Sequence, residues 1–150
     1  MAKDFSVGDI IIATGIYQHD FDTTEFGDVK GWVENLKTDK LEPTESINKE
    51  LFLMDLTDTT VVLGKIVSGD KFVSNVKERN SLRKEFLAVA CDMECGAIAQ
   101  VCLQNEIPFA VVKGISDNLE ENSGEDYKKN LDFSVEKVNE FVVKYICKIF

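Results

Sequence analysis

Ala88-Val-Ala-Cys-Asp-Met-Glu-Cys-Gly-Ala-Ile-Ala-Gln-Val-Cys-Leu-Gln-Asn-Glu-Ile-Pro-Phe-Ala-Val-Val-Lys-Gly-Ile-Ser-Asp117 is the stretch that decides the fold. A short apolar run, Leu87 to Cys91, ends in two acids around a methionine, Asp92-Met93-Glu94. The small-residue pattern that follows predicts a helix with Ala97, Ile98, Val101 and Cys102 facing one way. Asn105 and Glu106 close it, and Ile107-Pro108 opens a second apolar run, Phe109 to Ile115, which ends in Ser116-Asp117. This is a strand, a crossover helix and a strand. A connection of this length predicts two parallel strands, neighbours or near neighbours in one sheet. Each delivers a carboxylate at its C-terminal end, the edge where open α/β sheets bind ligands. Singly, Asp92, Glu94 and Asp117 are what a helix N-terminus or a loop start favours anyway. Together, at the ends of two strands, they are a better site candidate.

Working outward, Ile10 to Gly15 is a β-branched run typical of a buried strand, and Thr60 to Val67 is another. Between them, Tyr17 to Gly27 is a loop rich in rings (Tyr17, His19, Phe21, Phe26), suited either to covering a site or interface or to plugging the core. Pro43-Thr44-Glu45 starts a helix running to about Leu56, with Ile47, Leu51 and Met54 on one face. Ser68-Gly69-Asp70 is a turn that carries Phe72 and Val73 to a strand end. Asn75 to Phe86 reads as a short charged helix, Asn118 to Asp126 as an acidic loop, and Tyr127 to Lys148 as a last helix. Alternating strands and helices predict an α/β fold with a largely parallel sheet.

The 150 residues suit a single domain, 1–150, with a real core. The net charge of -10 argues against nucleic-acid partners and against anionic membrane surfaces. Arg79 and Arg83 are the only arginines, so a bidentate phosphate clamp is hard to build. No segment is apolar enough to span a bilayer, and the first residues lack the apolar core of a signal peptide. Cys91, Cys95, Cys102 and Cys147 read as buried free thiols of a reducing cytoplasm, with no zinc-like spacing and no metal.

The order Val7-Gly-Asp-Ile, His19-Asp-x-Asp-x-Thr-x-Phe-Gly, Ser68-Gly-Asp-x-Phe, Asp92-Met-Glu-x-x-Ala-Ile-Ala and Ile115-Ser-Asp resembles the 5′-methylthioadenosine/S-adenosylhomocysteine nucleosidases of the nucleoside phosphorylase superfamily. The resemblance implies a three-layer α/β/α sandwich lacking its N-terminal strands, the chain matching the C-terminal two-thirds of that fold. It implies hydrolysis of an N-glycosidic bond with release of adenine, without a cofactor. By resemblance, Phe72 stacks on adenine, the Val73 backbone meets its edge, Met93 lies against the ribose and Glu94 accepts from the ribose hydroxyls. Asp117 resembles the general acid that protonates adenine N7, supported by Ser116. Tyr127 falls where the family has an aromatic over the nucleoside. Phe26 matches a residue reaching into the neighbouring subunit, which implies a homodimer. The water-activating glutamate of the family lies before the position of Val7, so no residue of this chain takes that role. The alternatives are a purine nucleoside phosphorylase and a non-catalytic remnant that binds adenine nucleosides.

Overall fold

The computed structural model describes residues 5–54, 59–116 and 124–149 and, within the last segment, the side chains of 129–148. Strands β1 (Ile10–Gln18), β2 (Val61–Ser68), β3 (Ala88–Asp92) and β4 (Val112–Gly114) form one sheet in the order β3-β2-β1-β4. The helices are α1 (Glu45–Phe52), α2 (Val76–Phe86), α3 (Cys95–Gln104) and α4 (Gly124–Ile149). The aromatic loop contains a single 3-10 turn, Thr24–Phe26, and its first residues, Tyr17 and Gln18, belong to β1. The expected end of α1 at Leu56 lies outside the described residues.

β1 is apolar on both faces because both are covered. Ile10 and Ile12 pack on Leu51, Met54 and Phe141, from α1, the residues after it and α4. Ile11 and Ala13 pack on Ala90, Cys95, Ala99 and Ile115, on the side of α3. This is the expected α/β/α layering. The register with β2 shifts between Ala13 and Gly15, so Thr14 is an inserted residue. Such a bulge advances the side-chain alternation by one. Ile16 therefore joins Ile11 and Ala13 in one cluster, and Tyr17 turns to the cluster of Val67, Leu82 and Phe86 under α2.

The expected pairing of the two deciding strands is overturned. β4 runs antiparallel to β1, with Gly114 opposite Ile10 and Val112 opposite Ile12, at the sheet edge away from β3. Connection length allows a return along either edge of the sheet, and local contacts choose between them. Glu106 (φ 55°) ends α3 while the Ile107 N–H donates to Cys102 O at 2.9 Å. Thr44 then holds Phe109 on both sides, its N–H donating to Phe109 O at 2.8 Å and its Oγ1 accepting from Phe109 N–H at 3.0 Å. The chain is thereby fed into the free edge of β1 in reverse.

The buried face of α3 also differs from the expected one. Cys95, Gly96 and Ala99 are buried, whereas Ile98 and Val101 are 59% and 57% exposed. The cause is close approach. Gly96 N–H donates to Ser68 Oγ at 3.0 Å, and a Cβ on Gly96 would lie 3.0 Å from Ser68 Cβ. Only the small-residue face fits that near to β2. Of the four cysteines, all free, only Cys95 is buried; Cys91 and Cys102 are half-buried and Cys147 is exposed.

Phe141 is fully buried between α4 and β1, and Val143, two residues on, is 57% exposed. Phe141→Ala is expected to lower the unfolding free energy by about 3–5 kcal/mol. Val143→Ala should change it by no more than about 0.5 kcal/mol. Urea unfolding followed by circular dichroism measures both.

Candidate active site

The ends of β2 and β3 and the far end of β4 converge on one cavity of about 180 Å³, lined by Phe72, Val73, Met93, Glu94, Lys113 and Ser116 among others. In a flat sheet, β3 and β4 would stand roughly 14 Å apart, three strand spacings. Yet Lys113 Nζ of β4 lies 3.4 Å from Asp92 Oδ2 of β3. The sheet is therefore curled, and the curl brings its two edge strands to the same site.

The turn after β2 carries the aromatic wall. Ser68 pairs with Asp92, and Gly69 N–H donates to Asp92 O at 3.2 Å, so the turn leaves directly beside the end of β3. Asn75 stops it by capping α2, its Oδ1 accepting from Lys77 N–H at 2.8 Å and Glu78 N–H at 3.4 Å. Arg79 Nε donates to Val73 O at 2.7 Å and fixes the Val73 peptide. Val73 is buried, while Phe72, between these anchors, is 61% exposed.

Asp92 and Glu94 divide the two roles that acids can have here. Asp92, its side chain only 4% exposed, accepts at Oδ1 from Cys95 N–H (3.4 Å) and Cys95 Sγ (3.0 Å), and pairs at Oδ2 with Lys113. It is the structural acid at the start of α3. Burial first, and then the Asp92 carboxylate beside it, hold the Cys95 thiol far above the ordinary thiol range, so it is inert at neutral pH. Glu94 is 67% exposed on its side chain, and its Oε2 lies 3.7 Å from Lys113 Nζ. It is the acid available to a ligand.

Of the residues singled out from sequence, Phe72, Val73, Met93, Glu94 and Ser116 line this cavity together. Phe26 does not; it is 87% exposed on the 3-10 turn. Asp117 and the side chain of Tyr127 lie outside the described residues. Sequence reading missed Lys113. The available signal was a lone charge in the apolar run from Phe109 to Ile115, a position where a lysine needs a partner. Among the described residues, no group of His, Cys, Asp and Glu is arranged to hold a metal ion. No described helix is long and apolar enough to cross a membrane.

A family profile described as the phosphorylase superfamily matches residues 1–148. The chain belongs to the phosphorylase superfamily. It is 35% identical over 144 residues to a 5′-methylthioadenosine/S-adenosylhomocysteine nucleosidase of Haemophilus ducreyi, covering 95% of this chain and 62% of that protein. A Helicobacter pylori nucleosidase of the same name, a mutant with 5′-methylthioadenosine in its active site, superposes at TM-score 0.88 and 28% identity over 98% of this chain and 64% of that one. Futalosine hydrolase of Helicobacter pylori superposes at TM-score 0.89 and 28% identity, over 98% and 63%. The superfamily's fold is thus present over nearly the whole chain, which spans about 62% of the length of the Haemophilus relative.

Lys113→Met keeps the aliphatic stem and removes the charge. It leaves the buried Asp92 carboxylate without its cation, and the expected loss of unfolding free energy is about 1–3 kcal/mol. Comparison of urea midpoints for this variant and the parent at neutral pH measures it.

Proposed function

We propose that the cavity binds an adenine nucleoside and that the chemistry at it is hydrolysis of the N-glycosidic bond of 5′-methylthioadenosine or S-adenosylhomocysteine. The observation that carries this reading is the convergence of Phe72, Val73, Met93, Glu94 and Ser116, from three separated stretches of sequence, on one cavity. The nucleosidases of Haemophilus ducreyi and Helicobacter pylori among the relatives support that reaction.

In this reading the Phe72 ring stacks on adenine, and the Val73 peptide, held by Arg79, meets the base edge. Met93 lies against the ribose, and Glu94 accepts from its hydroxyls. Bond cleavage leaves an oxocarbenium-like sugar and an adenine anion. Asp117, next to Ser116, protonates N7 and makes adenine a competent leaving group, a contribution of roughly 10²–10⁴-fold. The Glu94 carboxylate orients the sugar and favours its developing positive charge. Tyr127 covers the nucleoside. Phe26, exposed and apolar, reaches the alkylthio pocket of a second copy in a cytoplasmic homodimer. None of these residues is assigned the activation of the attacking water.

Hydrolysis ranks above phosphorolysis because the cations lining the cavity are already engaged, Arg79 with the Val73 carbonyl and both lysines with acids. Lys113 is shared between Asp92 and Glu94, and Lys71 pairs with Glu78 at 2.7 Å.

Adenine release from 5′-methylthioadenosine, S-adenosylhomocysteine and futalosine tests the reading, with and without phosphate and with and without a chain spanning the unmatched part of a relative. The expected result is phosphate-independent release that rises on the order of 10²–10⁴-fold when that second chain is added, and that Asp117→Asn abolishes. Phosphate-dependent release, or release indifferent to Asp117→Asn, contradicts it.

A further inference from the structure

We propose that Asp20 is a positioning residue for the nucleobase: its carboxylate sets the Gly69–Val73 turn so that Phe72 and Val73 are presented to the base. This rests on the nucleoside reading above and extends it to a residue outside the cavity wall.

Asp20 follows β1 and lies 50 residues before the group it holds, with its Oδ2 accepting from Asp70 N–H at 2.7 Å. A carboxylate on a backbone N–H makes a charge-assisted bond, stronger than the neutral bonds typical of turns. The contact is built into the backbone on the opposite side as well. A Cβ on Gly69 would lie 2.7 Å from Nε2 of the buried His19 and 2.8 Å from Asp20 Cγ and Oδ1. The turn can sit against Asp20 only because residue 69 is glycine. His19 N–H in turn donates to Ser68 O at 3.0 Å, so the end of β1 grips the end of β2 at consecutive residues.

The turn is thus clamped at its start by Asp20 and by Asp92 O, and at its end by Arg79 on Val73 O. Phe72 stands between the clamps, largely exposed. A half-exposed turn that had to be ordered on binding would charge that ordering against affinity. Pre-setting it raises the fraction of molecules competent to bind, and affinity rises by the same fraction.

Two measurements on the 150-residue chain test this: the Kd of adenine by calorimetry and the exchange rate of the Asp70 amide proton by NMR. Asp20→Ala should weaken adenine about threefold to tenfold and speed Asp70 exchange. Asp20→Asn, whose amide oxygen still accepts, should stay within about twofold of the parent in both. In a Phe72→Ala background, Asp20→Ala should cost no more than about a further twofold, because what it positions is already gone. Parent-like affinity in Asp20→Ala, equal losses in Asp20→Ala and Asp20→Asn, or full additivity with Phe72→Ala would overturn the proposal. An Asp70 amide that exchanges equally in parent and Asp20→Ala overturns it whatever the binding. Failure of the parent chain to bind adenine is a different result: it overturns the nucleoside reading itself.

Discussion

The buried carboxylate of Asp92 holds the functional end of this chain together. It ends β3, accepts from the first turn of α3 through Cys95, and meets Lys113 of β4 at 3.4 Å, while its own carbonyl receives Gly69 N–H at the start of the Phe72 turn. Four elements therefore meet at one residue. A carboxylate this buried is stable only when each of its contacts is kept. That requirement fixes the relative positions of α3, β4 and the turn, and so the shape of the cavity between them.

Two local devices make that meeting possible. The bulge at Thr14 shifts the alternation of β1 part-way along, so Ile16 stays with Ile11 and Ala13 in the α3 cluster while Tyr17 turns to the α2 cluster. The curl of the sheet then carries β4 round to β3. Neither is a property of a flat parallel sheet, and the curl is what lets Glu94 and Ser116 line one cavity. Glycine at 96 completes the arrangement by letting α3 dock against Ser68 at backbone distance.

Much of this was legible in the sequence, and the parts that were not share a cause. The β-branched run at Ile10, the Asn75 start of α2 and the apolar spacing of α4 are local signals, and they appear where expected. The direction of β4 was misread because a crossover length does not specify which sheet edge receives the returning strand. The face of α3 was misread because Ile98 and Val101 are larger than Cys95 and Ala99, and apolar size outweighed the small-residue contact that close packing selects. Lys113 showed only as a lone charge in an apolar run and the Asp20 clamp not at all, because the role of each depends on a partner, Asp92 or Asp70, that only tertiary structure supplies. Phe72 and Glu94, which line one cavity, were singled out because short motifs in a fixed order resemble a known family; the match over residues 1–148 bears out the superfamily.

The central claim is that the cavity between the Phe72 turn and the start of α3 is a nucleoside site. A crystal structure of this chain with 5′-methylthioadenosine tests it most directly. The account predicts the adenine ring stacked on Phe72 with its edge at the Val73 peptide, and the ribose on Met93 with its hydroxyls toward Glu94. Adenine bound away from Phe72, or a ribose that does not meet Glu94, would contradict it.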